Sequence, residues 1–169
     1  MNRILNLICP TSHLESFIAK KTAGRNIANY YVTSLGVALH LHKKDDAENL
    51  KTILSQYEIE EIHLFQDVFC PFIKNTLEKK RPSEFYIDRI LEKILHEQIR
   101  QEEFWKADYR SKAGQLAEKN LLLQIQSIHQ NPLLTDYITK QKLLLKGIII
   151  DKSENKILRE LSYSPKISA

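Results

Sequence analysis

The sequence is poor in the residues that mark linkers, secreted frameworks and membrane spans. Four glycines and five prolines in 169 residues are too few for a flexible linker or a low-complexity tail. Two cysteines are too few for the disulfide framework of a small secreted domain. The longest apolar run, Leu143–Ile150, contains Lys146 and falls well short of the roughly 20 residues that cross a membrane. These absences predict one globular domain over residues 1–169, with no membrane partner.

The amino terminus also lacks the pattern of a secretory signal. Its apolar stretch, Ile4–Cys9, is preceded by a single positive charge at Arg3 and stops at Pro10, without a small-residue cleavage site. The segment predicts a buried strand and a cytoplasmic protein. In a reducing compartment Cys9 and Cys70 are not expected to form a stable disulfide, which leaves buried apolar fillers or metal ligands as the two interpretations.

The net charge of +4 is modest, and part of it comes from the run Lys79, Lys80 and Arg81. Such a run at a helix end or in a loop is usually solvated. The sequence therefore gives no reason to expect a nucleic-acid partner.

The order of apolar segments predicts an α/β fold, with a mainly parallel sheet flanked by helices and a hairpin at its carboxyl-terminal edge. The helical spacing of Ala47, Leu50, Ile53 and Leu54 is one such signal. The predicted elements are strands at Arg3–Cys9, Ser16–Lys20 and Glu61–Phe65, a turn at Thr22–Asn26, a helix at Asp45–Tyr57, helices over most of Pro82–His129, a helical turn from Pro132 to Tyr137, and a hairpin of Leu143–Ile150 and Ile157–Leu161 around Ser153–Asn155.

Both cysteines fall at or just after the ends of predicted strands, where ligands bind in α/β sheets. Asp67 lies three residues before Cys70, a spacing that lets both side chains face one ion from a turn. Two thiolates and a carboxylate are a ligand set for Zn²⁺, with a fourth position left for water or another protein group.

Several short motifs stand in an order that resembles one family. They are Cys9-Pro10-Thr11-Ser12-His13, Arg25-Asn26-Ile27-Ala28-Asn29, Asp67-Val68-Phe69-Cys70, and then Gln124, Pro132 and Leu143–Asp151. The order is similar to that of the β-class carbonic anhydrases, which carry C-x-D-x-R, R-N-x-x-N, H-x-x-C, a Gln, a Pro and L-x-x-x-G-x-x-x-D. The resemblance covers most of the chain and implies the β-carbonic-anhydrase fold, a zinc cofactor on the two cysteines, and reversible hydration of CO₂ to bicarbonate, a lyase reaction.

The departures fall on the residues that carry the chemistry. Thr11 and His13 stand where the family has its Asp/Arg dyad, and Asp67 stands where it has a histidine ligand. Threonine cannot act as an anionic ligand, and histidine lacks the five-donor fork that holds a carboxylate. A third anionic ligand in place of a neutral one makes zinc a weaker Lewis acid. Pro71, where the family usually has Gly, removes one backbone donor.

Two histidines are candidates to replace the missing ligand. His13 is either a nitrogen ligand that restores the set or, the favoured interpretation, a surface residue at the start of a helix. His63 shares a strand face with Asp67 but is expected to lie too deep to reach the ion.

Arg25 and Asn26 have two interpretations. They either bind an anion through the guanidinium fork and the amide, or brace the turn and a subunit contact. The resemblance also implies a homodimer.

Three hypotheses follow. The first is a zinc protein with a β-carbonic-anhydrase-like fold, metal ligands Cys9, Asp67 and Cys70, and weak or changed activity on CO₂ or bicarbonate. The second is a metal-free, non-catalytic homologue that acts as a binding or assembly module. The third is a generic α/β domain with buried thiols and accidental motif matches.

Overall fold

A five-stranded sheet forms the centre of the protein. The structure is a computed structural model that describes residues 1–79 and 84–163. The strands stand in the order β2-β1-β3-β4-β5, and all neighbouring pairs are parallel except β4 and β5, which form an antiparallel hairpin. The bounds are β1 Asn2–Ile8, β2 Ile27–Thr33, β3 Glu61–Asp67, β4 Leu144–Asp151 and β5 Lys156–Tyr163. The predicted α/β fold with its edge hairpin is confirmed.

Seven helices in the described residues connect and cover these strands. Their bounds are α1 Glu15–Thr22, α2 Lys44–Gln56, α3 Pro71–Leu77, α4 Tyr86–Gln98, α5 Glu102–Lys106, α6 Tyr109–Gln130 and α7 Pro132–Gln141. Local signals explain several boundaries: the Asp108 side chain caps α6 by accepting from the Ser111 N–H, and Asn131 caps α7 in the same way through Leu133. The predicted helices are confirmed within the described part of the chain. Pro82, and the Lys80 and Arg81 of the basic run, lie outside it.

The predicted strand at Ser16–Lys20 is wrong, because this segment belongs to helix α1. Leu14, Phe17 and Ile18 recur at helical spacing and are all buried against the sheet. The edge strand that pairs with β1 is Ile27–Thr33, which sequence reasoning missed. Its β-branched and aromatic side chains favour a strand, but its amino-terminal part was interpreted only as a motif.

The two faces of the sheet carry separate cores. On one face, apolar side chains such as Leu5, Leu7 and Leu64 pack against α2, α3, α4, α6 and α7 in the main core. On the other, Ile8, Phe65 and two β4 residues, Ile148 and Ile150, pack against α1. Much of this second face stays polar.

None of the helices within the described residues has both the length and the apolar character needed to cross a membrane.

Candidate functional site

The two cysteines meet at the carboxyl ends of β1 and β3. Cys9 follows β1 directly, and Cys70 is the residue before α3. Both thiols are free, and their residues are 1% and 0% exposed. The two thiols lie close enough to shift each other's pKa. The structure thus brings the two predicted cysteines together at the ends of neighbouring strands.

Hydrogen-bond donors surround the Cys9 sulfur. The backbone N–H of Gly36 donates to it over 3.1 Å, and the Thr11 hydroxyl oxygen lies 3.0 Å away. The hydrogen bond from the Cys70 thiol lowers the pKa of Cys9 despite the opposing effect of burial, and Thr11 and Gly36 add to the lowering. The same thiol contact, together with burial, raises the pKa of Cys70. Cys9 is therefore the better hydrogen-bond acceptor of the pair.

The loop that carries Gly36 is strained and tightly held. Gly36 and the buried, β-branched Val37 both have left-handed backbone angles, with φ of 58° and 62°. A Cβ atom on Gly36 would lie 2.3 Å from the Cγ1 atom of Ile87, so only glycine fits. Strain of this kind persists where surrounding contacts fix the backbone.

Buried amides from α6 supply those contacts. The Asn120 side chain donates to the Gly36 carbonyl over 2.9 Å and to Gln66 over 3.0 Å, and the Gln124 side chain accepts from the Leu39 N–H over 3.0 Å. Gln124 is one of the residues that match the family in the sequence. The only sequence signal for Asn120 is that it is a polar residue at helical spacing from the apolar Leu116 and next to Leu121.

Asp67 does not join the thiols. Its Oδ1 accepts from the backbone N–H groups of Phe69 over 3.2 Å and of Lys152 over 3.4 Å. The reason is strand length: β3 continues through Asp67, so the alternation of the strand places this side chain on the α1 face with Phe65. Burial raises the pKa of Asp67, and the two backbone donors offset only part of that rise.

The residues at the dyad positions face solvent. Thr11 and His13 are both exposed, and His13 has a left-handed backbone with φ of 47° at the end of the short 3₁₀ turn Pro10–Ser12. His63 lies on the α1 face, where its Nε2 is 2.8 Å from a Glu61 carboxylate oxygen. None of these side chains reaches the two sulfurs as a ligand.

Arg25 and Asn26 lie at the opposite end of the sheet from the thiols. They precede β2, and the Asn26 carbonyl accepts from the Asn2 N–H at the start of β1. The seven residues of β2 separate the two ends by roughly 20 Å. Arg25 and Asn26 therefore belong to a turn at the amino-terminal ends of strands β1 and β2.

The remaining motif residues have structural roles. Pro71 and Pro132 each occupy the first position of a helix, where a missing N–H costs little. Gly147 lets β4 pass against Leu121 of α6. Asp151 is buried and accepts from the Ser153 hydroxyl, and one of its oxygens lies 2.7 Å from the Arg110 guanidinium.

Two residues that sequence reasoning missed lie near the strand ends that carry the thiols. Tyr109 stacks on Phe69 with ring centroids 5.9 Å apart, and burial raises its pKa, with smaller contributions from Glu78 and Cys70. Lys152 reaches back from the β4–β5 turn, and its Nζ donates to the Ser12 carbonyl over 2.6 Å. Neither residue stands in a motif, so only the folded chain brings them here.

The donor set does not fit the zinc site that the resemblance in sequence implies. A zinc site with an open position for chemistry uses three protein ligands. The part of the chain that the structure describes contains no group of three His, Cys, Asp or Glu side chains able to hold a metal ion. Two thiols meet here, and the carboxylate nearest in sequence is bound to backbone amides on the other face.

The fold is that of the β-carbonic anhydrases. A tetrameric β-carbonic anhydrase from the ascomycete Sordaria macrospora matches with a TM-score of 0.73 and 16% identity, over 95% of this chain and 80% of that one. Wild-type CafD, a β-carbonic anhydrase of Aspergillus fumigatus, matches with a TM-score of 0.72 and 17% identity, over 96% and 90% of the chains. The Coccomyxa β-carbonic anhydrase, solved with acetazolamide, matches with a TM-score of 0.69 and 12% identity, over 95% and 74%.

No family model matches the sequence, and no curated protein matches it significantly. The resemblance in fold is thus confirmed, at a sequence identity that marks a divergent chain. The fold match contradicts the third hypothesis, in which the chain is a generic α/β domain.

Proposed function

We propose that this protein is a non-catalytic, metal-free member of the β-carbonic-anhydrase fold that acts as a binding or assembly module. One observation carries the proposal: Cys9 and Cys70 meet without a third ligand from the described residues, because the Asp67 carboxylate is held by the Phe69 and Lys152 amides. Thr11 and His13 at the dyad positions support it, since neither can supply the anionic group and the guanidinium fork.

Elemental analysis of purified protein tests the proposal. We expect much less than one zinc per chain and no CO₂ hydration above the uncatalysed rate in stopped-flow assays. The Asp67→His variant tests the cause, because the alternation of β3 directs position 67 to the α1 face whichever side chain it carries. It should bind no more zinc than the parent, and a zinc gain that Cys9→Ser or Cys70→Ser abolishes would contradict this account of the site.

The rival is the zinc protein with weak or changed activity on CO₂ or bicarbonate, using Cys9, Asp67 and Cys70 as ligands. It predicts about one zinc per chain in the unaltered protein, lost in Cys9→Ser or Cys70→Ser. Finding that zinc would overturn the metal-free proposal. The combined change Thr11→Asp, His13→Arg and Asp67→His should raise CO₂ hydration if the replaced residues are what silence the site.

We further propose a cytoplasmic homodimer. Two adjacent free thiols favour a reducing compartment. Strand β2 forms one edge of the sheet, and edge strands are usually covered. Light scattering coupled to size-exclusion chromatography would measure the mass, and a monomer at micromolar concentration would contradict the dimer.

A further inference from the structure

The α1 face of the sheet contains a polar cavity that is separate from the thiol pair. Its volume is about 190 Å³, and it lies between α1, the turn before β2, and strands β1, β3, β4 and β5. Phe17, Phe65, Ile148 and Ile157 form apolar walls. The volume equals that of roughly six water molecules in the liquid, which is enough for one small organic molecule.

Asn6 presents an unpartnered acceptor at this cavity. It lines the cavity and is only 1% exposed. Its Nδ2 lies 3.2 Å from the Tyr30 carbonyl and 2.9 Å from the Asn29 Oδ1, and a carbonyl can only accept, so the nitrogen faces β2. Its Oδ1 has no hydrogen-bond partner among the described residues. That oxygen is therefore free to accept a hydrogen bond from a ligand in the cavity.

The neighbour of Asn6 on β3 supplies a second acceptor. His63 pairs with Asn6 in the strand register, and its Nε2 lies 2.8 Å from Glu61 Oε2. Because a carboxylate only accepts, Nε2 carries the proton, and in the neutral ring Nδ1 is then an acceptor. Burial lowers the pKa of His63, although the Glu61 carboxylate raises it. The lowered pKa favours the neutral ring. The floor of the cavity thus presents two hydrogen-bond acceptors, which a ligand with a hydrogen-bond donor would satisfy.

Charged groups surround this floor. Lys21 and Arg25 line the cavity and form no ion pair with a described carboxylate, whereas the third cation, Lys146, is already bound to Glu61 over 2.6 Å. Glu160 lines the cavity too, and its carboxylate has no side-chain partner within the described ranges. Two cations are therefore available for a carboxylate, and one anion for an ammonium group.

We propose that this cavity binds a free apolar α-amino acid. The ammonium group donates to Asn6 Oδ1 and His63 Nδ1 near Glu160, the carboxylate pairs with Arg25 and Lys21, and the side chain packs on the apolar walls. The inference goes beyond the proposed function and does not depend on it, because Cys9 and Cys70 belong to the core on the other face of the sheet. Zinc in the protein would overturn the proposed function and leave this inference standing.

Calorimetric titration of the full chain with L-leucine tests the proposal. We expect a Kd of roughly 1 mM or below. Two analogues separate the charges: L-leucinamide lacks the carboxylate, and N-acetyl-L-leucine lacks the ammonium group while keeping an N–H, as at the end of a peptide. Each should bind at least about tenfold more weakly than leucine. Equal binding of N-acetyl-L-leucine would overturn recognition of a free amino acid.

Matched variants locate the site. Arg25→Gln removes an exposed guanidinium without breaking an ion pair and should weaken leucine binding about tenfold. Lys20→Gln removes an exposed cation from the same region that does not line the cavity, and it should leave the affinity unchanged. The proposal is overturned if leucine does not bind, or if Arg25→Gln binds it as tightly as Lys20→Gln does.

Discussion

Gly36 and Cys9 are joined by a hydrogen bond from the glycine N–H to the cysteine sulfur, 3.1 Å long and spanning 27 residues of sequence. The bond links the loop after β2 to the end of β1. Because the glycine cannot be replaced without moving Ile87, the position of the sulfur depends on the packing of α4. The thiol pair is therefore built into the main core.

The first prediction concerns that loop. Gly36→Ala should destabilise the protein by about 2–4 kcal/mol, because it adds left-handed backbone strain to a clash 2.3 Å from Ile87. Gly114→Ala is the control, since a Cβ there has open space within α6 and should stabilise by about 0.5–1 kcal/mol. Urea unfolding measures both. Equal effects of the two changes would contradict the packing argument.

The second prediction concerns the amides that hold the loop. Asn120→Ala should cost about 2–3 kcal/mol, because it leaves the Gly36 carbonyl and the Gln66 oxygen without their donor. Asn49→Ala, at an exposed position of α2, should change the stability by less than about 0.5 kcal/mol. Thermal and urea unfolding of the two variants would measure the difference, and a small loss at Asn120 would show that the network contributes little.

The third prediction concerns the pH dependence of stability at Asp67. Burial raises the pKa of this carboxyl in the folded protein, so the folded state binds its proton more tightly than the unfolded state does. Its contribution to stability is full below the unfolded pKa, near pH 4, and is lost as pH rises through the folded pKa. Asp67→Asn should therefore stabilise the protein at pH 7, with a gain that shrinks towards pH 4.

Asp136→Asn provides the control for this measurement, because Asp136 is exposed on α7. Urea unfolding from pH 4 to 7 should show a pH-dependent gain for Asp67→Asn and none of that form for Asp136→Asn. A gain at Asp67 that did not vary with pH would mean that burial of the charge is not its source.

The fourth prediction concerns oxidation of the thiol pair. In protein free of metal, hydrogen peroxide should oxidise Cys9 and Cys70 to a disulfide, with two molecules of water formed from the peroxide and the two thiol hydrogens. The thiols already lie close enough to shift each other's pKa, and Thr11 beside Cys9 is exposed. Intact mass spectrometry without reductant should detect the loss of two hydrogens, restored by dithiothreitol and absent in Cys70→Ala. Stepwise oxygen addition in the unaltered protein would contradict it.

The sequence predicted the parts of the fold that rest on local patterns. The stripe of Ala47, Leu50 and Leu54 predicted α2, and the apolar run before Asp151 predicted β4. Helix α1 was mistaken for a strand, because five residues with a few apolar side chains fit either period. Strand β2 escapes prediction because its first residues, Ile27 to Asn29, fall within the R-N-x-x-N motif and are interpreted as part of that motif.

The site was predicted in its thiols and not in its surroundings. Cys9 and Cys70 were identified from strand ends, a rule that depends only on the direction of parallel strands. The direction of the Asp67 side chain depends on where β3 ends. A strand that ended at Phe65 would leave Asp67 in a turn, whereas β3 continues through Asp67 and its alternation directs this side chain to the α1 face. Gly36, Asn120 and Lys152 were not foreseen, since their contacts with the loops depend on packing between distant segments.

The position of β4 determines when this protein can fold during its synthesis. β4 is the parallel neighbour of β3, and Lys152 at its end contacts the Ser12 carbonyl across 140 residues of sequence. A ribosome-bound chain that ends within α6 therefore has β3 as an open edge, and the Asp67 carboxylate lacks its Lys152 amide. Completion of the region around the thiols must follow translation of the hairpin, so this part of the protein matures after most of the chain has left the ribosome.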